Sequence, residues 1–225
     1  MKKKIVILSV SNFFKKIKNT KNLKFFFINK RSQLTYSYLN KIKPYLIFVP
    51  AWHWKISEKI INSYTCIGFH PSPLPYGRGG SPIQNLIIRG HKKTEICAIK
   101  LNKVLDGGDV YTRKRFILDG SANEIFLRYN KEKLAMIKQM LKKVPKPKKQ
   151  IGKVVFYKRR KPYESKIDFR KTIPKIYDFI RMLDLDIKNF PKAFTTIDDL
   201  KIIFEKVEKT KDNKLRGRFL IHRNK

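Results

Sequence analysis

The chain has 225 residues, 42% of them apolar, so it is long enough for one substantial core with a small second unit and too apolar to stay disordered. No apolar run approaches the roughly 20 residues of a spanning helix, so no membrane span is expected. Lysine and arginine number 53 against 17 acidic residues, a formal charge of +36, and this field attracts nucleic acid, acidic headgroups or phosphorylated substrates. Only 13 of the 53 basic residues are arginine, and lysine, isoleucine, asparagine and phenylalanine are all abundant. That pattern points to A+T-rich coding as the source of the charge rather than to an arginine-based reader of bases.

The opening Lys2-Lys3-Lys4 and the apolar Ile5 to Val10 have the outline of a signal peptide. The apolar part is short, Lys15 and Lys16 follow soon, and no small-residue cleavage site intervenes, so a first strand over Lys4–Val10 accounts for it better. Leu23–Ile28 reads as a second strand. Leu34, Tyr38, Leu39 and Ile42 are spaced for one helical face within Gln33–Ile42, which Pro44 stops; Tyr45–Val49 gives a third strand, Ile56–Tyr64 a short helix and Thr65–Phe69 a fourth strand. Alternating strands and helices argue for a parallel sheet. Ser81-Pro82 reads as an N-cap followed by proline at the first helical position, opening a helix over Ile83–Arg89 that Gly90 ends. Thr94–Leu101 and Asp109–Phe116 read as paired strands around the turn holding Asp106, Gly107 and Gly108. Ser121 and Glu124 form a capping box for a long amphipathic helix. Val144 to Lys149, with two prolines and three lysines, reads as a linker. Beyond it, Val154–Tyr157, Leu200–Val207 and Arg218–Ile221 read as strands and Thr172–Leu183 as a helix. Cys66 and Cys97 sit in strand-like surroundings, which predicts two buried free thiols and a reducing, cytoplasmic setting.

His70 follows the fourth strand, and ligands of open parallel sheets bind beyond strand C-termini, where an imidazole is placed for acid–base work. The segment Pro73 to Pro82 is a rigid loop with glycine hinges feeding a helix N-terminus, and Arg78 adds a fork of donors for phosphate or carboxylate. It is neither a Walker A loop nor a dinucleotide fingerprint.

His70-Pro71-Ser72-Pro73-Leu74-Pro75, with Arg78-Gly79 and Pro82-Ile83, resembles the His-x-Ser-Leu-Leu-Pro-x-Tyr-Arg-Gly-x-x-Pro-Ile signature of the folate-dependent formyltransferases, a family that includes methionyl-tRNA, glycinamide ribonucleotide and nucleotide-sugar formyltransferases. Leu105-Asp106-Gly107-Gly108-Asp109-Val110 resembles the family's catalytic-aspartate loop, and the 36-residue separation of His70 and Asp106 is similar to the family's. The likeness covers roughly residues 1–143; a weaker one, to sugar N-formyltransferases, runs through Tyr157–Pro162, Ile167-Asp168, Ile180-Arg181 and Phe190–Phe194. The family places asparagine two residues before the histidine, to hold the formyl oxygen as charge develops; here the position is Gly68.

The resemblance implies an α/β fold, a Rossmann-like and mostly parallel sheet with helices on both faces, and a small C-terminal α+β subdomain. It divides the chain into a catalytic domain, 1–147, and a small C-terminal part, 148–225. It implies transfer of a formyl group from 10-formyltetrahydrofolate to a primary amine, with His70 and Asp106 catalytic, Val104, Leu105 and Asp106 binding the pterin, Ser72, Arg78 and Gly79 binding substrate, and no metal. Trp52, His53 and Trp54 follow the third strand and could cover the folate. With 78 residues left after the linker, the leading acceptor is a small-molecule amine, that of a nucleotide-linked amino sugar for surface polysaccharide. A methionyl-tRNA formyltransferase with a reduced tail, supported by the +36 charge, is the alternative. A formyltransferase-like binding protein without activity, which Gly68 supports, is a further one. A pure nucleic-acid-binding module leaves the His70 and Asp106 blocks unexplained. A homodimer is compatible with this reading.

Overall fold

The computed structural model describes residues 2–187 and 190–223. Its central sheet has six strands in the order β2-β1-β3-β4-β6-β7. They are β1 (Lys3–Ser9), β2 (Leu23–Ile28), β3 (Leu46–Ala51), β4 (Cys66–His70), β6 (Lys93–Lys100) and β7 (Val110–Ile117). The first four run parallel, with Ile5 opposite both Phe25 and Leu46 and Phe48 opposite Ile67, and β6 enters antiparallel with His70 opposite Cys97. The sequence reads this way because Ile5, Val6, Ile7 and Leu8 are all fully buried. An unbroken apolar run suits a strand covered on both faces, and each such side chain contributes about 1.5–3 kcal/mol on burial.

Helices α1 (Tyr36–Ile42) and α2 (Glu58–Ser63) join the parallel strands. Thr35 caps α1 by accepting from the Tyr38 N–H at 3.1 Å, and Lys43, in left-handed conformation, ends it just before Pro44. Helix α3 (Pro82–Ile88) starts at Pro82 as expected, but Ser81 does not cap it. With φ of +49° its hydroxyl accepts instead from the Arg160 N–H at 3.2 Å. The capping box of α4 (Ala122–Lys142) does form: Glu124 accepts from the Ser121 N–H at 2.8 Å and donates its own N–H to the Ser121 hydroxyl at 3.3 Å.

Two short strands escape the sequence patterns. β5 (Tyr76–Gly79) pairs with β8 (Val155–Tyr157), and β9 (Ala193–Ile197) joins β10 (Leu200–Lys209) and β11 (Leu215–Arg223) in an antiparallel sheet. Helix α5 (Ile173–Arg181) precedes that sheet. The stretch read as a linker is held in place: Lys148 and Val110 exchange backbone hydrogen bonds of 2.9 and 2.8 Å.

The chain forms two compact units that interleave along the sequence: Met1–Arg78, Glu95–Lys114 and Tyr129–Val155 in one, and Gly79–Thr94, Arg115–Arg128 and Phe156–Lys225 in the other. In the second, Arg181 is nearly fully buried and makes three hydrogen bonds, donating to Asp178 at 2.7 Å and to the carbonyls of Leu118 and Gly120 at 2.6 and 2.7 Å. A buried guanidinium is tolerated only with such partners. Cys66 and Cys97 are buried free thiols, and burial pushes them up to about 12 and about 11. Among the described residues no helix is long and apolar enough to cross a membrane.

Candidate active site

Strand β4 ends on His70, and the turn after it folds back onto the ring. The Gly77 carbonyl lies 2.7 Å from His70 Nε2 and accepts from the Ser72 hydroxyl at 3.0 Å. A carbonyl only accepts, so Nε2 carries a proton and Nδ1 is the nitrogen left for chemistry. Nδ1 lies 3.5 Å from Asp106 Oδ2; the histidine side chain is 8% exposed and the aspartate 18%. Protonated, Nδ1 is a second donor beside a carboxylate; deprotonated, it is a base. Either state suits proton transfer at an atom placed between them.

The Asp106 loop is shaped by its neighbours. Asn102 Oδ1 accepts from the Val104 N–H at 2.9 Å and the Val104 carbonyl accepts from the Gly107 N–H at 3.0 Å. Asp106 sits at φ +51°, a left-handed conformation that aspartate tolerates better than most residues. A Cβ at Gly108 would lie 1.6 Å from the Lys100 carbonyl oxygen, so only glycine fits there. Val104 and Leu105 are 46% and 64% exposed, an apolar ledge beside the carboxylate.

Arg78 is turned inward. Its Nε and a terminal nitrogen donate to Gln150 Oε1 at 3.2 and 2.8 Å, while Gln150 Nε2 donates to the carbonyls of Asp106 and Gly108 at 2.8 Å each. Ser72 is fully buried, so its hydroxyl braces the loop behind His70 and shows no surface to a ligand. Gly79 belongs to the other unit; with φ of +100°, and a Tyr157 carbonyl 2.4 Å from where its Cβ would stand, it meets a backbone constraint of its own. The structure thus brings His70, Ser72, Arg78 and Asp106 together.

Sequence reasoning missed Tyr129 and Lys133 of α4. The Tyr129 hydroxyl donates to the Phe69 carbonyl at 2.9 Å, beside His70. Burial first, and the charge of Asp106 second, hold this phenol well above its usual range. Lys133 donates to the Pro50 carbonyl at 2.5 Å with its ammonium 4.0 Å from the Tyr129 ring centre, and burial pushes it down to about 7. The available signal was two polar residues, one helical turn apart, on the face that also carries the buried Ile125, Met136, Ile137 and Met140. Trp52, His53 and Trp54 form an aromatic cluster after β3, with Trp54 centred 4.8 Å from Trp52 and 4.0 Å from His53.

At Gly68 the structure shows what the first side-chain carbon of an asparagine would meet. A Cβ there would meet Leu101 Cδ2 at 2.7 Å, Leu101 Cγ at 3.4 Å and Ile99 Cγ1 at 3.8 Å. These nearest atoms are all hydrocarbon. Neither Cys66 nor Ser72, the neighbours in sequence, is among them.

Set beside known proteins, a Rossmann-like sheet ending in this histidine–aspartate pair falls in a defined class: the chain belongs to the formyl transferase family, whose model matches residues 12–139. A second family model, that of the methionyl-tRNA formyltransferase C-terminal domain, matches residues 162–222. The methionyl-tRNA formyltransferase of Malacoplasma penetrans is 31% identical over 210 residues, covering 89% of this chain and 63% of the relative. The chain spans a little under two thirds of the length of this curated relative and of another that it matches. Among solved structures, the methionyl-tRNA formyltransferase from Clostridium thermocellum superposes with a TM-score of 0.92 at 36% identity, covering 99% of this chain and 100% of that one. A sugar N-formyltransferase from a Shewanella species shares the fold alone, with a TM-score of 0.66 at 15% identity over 96% of each chain.

Proposed function

We propose that the chain moves a formyl group from 10-formyltetrahydrofolate to a primary amine, and that the amine is the aminoacyl group of methionyl-tRNA. The observation that carries the chemistry is His70 Nδ1 at 3.5 Å from Asp106 Oδ2, within the family's two motifs. The acceptor assignment is supported by the likeness to the Clostridium thermocellum methionyl-tRNA enzyme along 99% of this chain, by the partial likeness to the Malacoplasma penetrans one, and by the C-terminal match over 162–222. It replaces the amino sugar as the leading acceptor. The argument from a short tail weighs less because 61 residues of that tail match the C-terminal domain of the tRNA enzymes. The division into a catalytic part, 1–147, and a C-terminal part, 148–225, is supported by the two matches falling on either side of it. Two free thiols fit a cytoplasmic setting.

The exposed ledge of Val104 and Leu105 beside Asp106 suits the flat, largely apolar face of a pterin, and these residues would hold it. The bound donor supplies an activated formyl carbon. Asp106 takes the proton that the attacking amine loses, directly or through a water. His70, its Nε2–H anchored on Gly77, presents protonated Nδ1 to the formyl oxygen as negative charge develops there. A carbon–nitrogen bond forms to the amine, the one to the folate breaks, and the departing nitrogen receives a proton in return. Arg78 stands at the rim of the Asp106 loop, where its charge favours an anionic acceptor.

A second reading, a formyltransferase-like binding protein without turnover, is favoured by Gly68 itself, which has no side-chain donor and around whose Cβ position the nearest atoms are hydrocarbon. One assay separates the readings: formyl transfer to initiator methionyl-tRNA beside a panel of nucleotide-linked amino sugars, with His70→Asn as control. Transfer to the tRNA alone supports the proposal, and transfer to a sugar alone restores the earlier one. Folate binding without transfer to any acceptor supports the second reading.

A further inference from the structure

Gln150 lies just past the lysine- and proline-rich stretch, in a segment whose sequence gives it no role. Its side-chain amide nonetheless makes four hydrogen bonds, two accepted from Arg78 and two donated to the carbonyls of Asp106 and Gly108. The two carbonyls flank Gly107, so the amide spans the tip of the loop that carries the carboxylate. The backbone beneath is fixed, because Lys148 pairs with Val110 at the start of β7.

The chemistry of this position is restrictive. Two carbonyls require two donors and a guanidinium requires an acceptor, which a primary amide supplies from one planar group. Glutamate would keep the acceptor and set a carboxylate against two carbonyl oxygens. Asparagine would be one methylene short. Asp106 needs such external support, since it holds a left-handed conformation beside two glycines, and such conformations persist where surrounding contacts over-determine them.

We propose that Gln150 is a positioning residue: it fixes the Asp106 carboxylate opposite His70 and locks Arg78 to the same loop. The inference rests on the reading of His70 and Asp106 as the reacting pair. A misplacement of about 1 Å at a reacting group can lower a rate by about 10²-fold, so a freed loop has a measurable consequence.

The test uses the full chain with Gln150→Met, which keeps the length and loses all four hydrogen bonds, and Gln150→Glu, which keeps only the acceptor. Hydrogen exchange of a peptide spanning residues 102–109 is expected to be at least about tenfold faster in both variants, with the peptide covering β1 unchanged. In single-turnover transfer to methionyl-tRNA, both variants are expected to lose about 10- to 100-fold in rate. KM for the tRNA should stay within about threefold, since a positioning loss falls on the rate. In an Asp106→Asn background, Gln150→Met is expected to add less than about twofold, because a residue that acts through Asp106 has nothing left to position. Unchanged exchange at 102–109, or losses that multiply in the double variant, overturns the proposal. If the wild type transfers no formyl group to any amine, the reading of the reacting pair fails. Exchange then still decides whether Gln150 holds the loop.

Discussion

Replacing Gly68 with asparagine, the residue found at this position in the family, is predicted to harm this protein. The new Cβ would stand 2.7 Å from Leu101 Cδ2, whereas carbon atoms pack best at about 3.5–4.0 Å, so the overlap is close to 1 Å. Leu101 cannot retreat by moving its backbone, because its N–H donates to the Cys66 carbonyl at 2.8 Å, and its side chain packs against two core clusters. Its Cδ2 is the far end of a flexible side chain that can yield, so the overpacking falls at the low end of about 1–3 kcal/mol. The amide added would offer about 2.7–4 kcal/mol of transition-state stabilisation only if it reached the position of the developing oxyanion. With Leu101 where it stands, the Cβ that would carry that amide is crowded. Gly68→Asn is therefore expected to unfold at lower urea and to transfer formyl no faster than wild type. Gly68→Asn with Leu101→Ala is expected to be faster than Gly68→Asn, and less destabilised than the sum of the two single changes. Urea unfolding and single-turnover transfer measure both. A Gly68→Asn protein as stable as wild type and about tenfold faster would show that Leu101 does not block the site, and would refute the reasoning.

Asp106→Asn should lower formyl transfer by about 10²-fold or more with an unchanged unfolding midpoint; a rate within about threefold of wild type would remove Asp106 from proton transfer. Lys133 makes stability depend on pH: the unfolded chain keeps this proton up to its ordinary 10.5, whereas the folded protein sheds it near 7, so stability rises with pH across that window. Relative to Lys133→Met, wild type should gain about 2 kcal/mol between pH 7 and 9, and a pH-independent difference would refute the assignment. Gly108→Ala should cost about 2–4 kcal/mol, measured by urea unfolding, because Lys100 occupies the required space. Binding of elongator tRNA should fall by about 10³-fold between about 50 and 200 mM salt while initiator methionyl-tRNA keeps a measurable preference at the higher salt; parallel loss of both would mark the +36 charge as the sole source of binding.

The parallel strands were legible because their apolar runs are continuous and local, and β2 (Leu23–Ile28) has the boundaries expected of it. The His70 and Asp106 blocks were legible because motif order and spacing survive in the letters. What escaped depends on partners remote in sequence. β5 contains Gly77, Arg78 and Gly79, with no apolar alternation, and is a strand because β8 lies beside it. Ser81 reads as a cap from its neighbour Pro82, yet its hydroxyl serves the Arg160 N–H. At Gly68 the letters record an absent donor and are silent on Leu101, 33 residues on, whose methyl crowds the Cβ position.

The stitch between Lys148 and Val110, with Gln150 two residues beyond it, bears on any attempt to dissect or graft this protein. A fragment that stops at residue 147 would keep both motif blocks and leave the amide that grips Asp106 and Arg78 on the discarded piece. A fragment carried on to Val155 would retain the grip along with the whole of the first compact unit's final segment. For a chimera that exchanges C-terminal portions between relatives, the junction belongs after that residue, and a poor rate from an earlier junction is expected from a loosened aspartate alone.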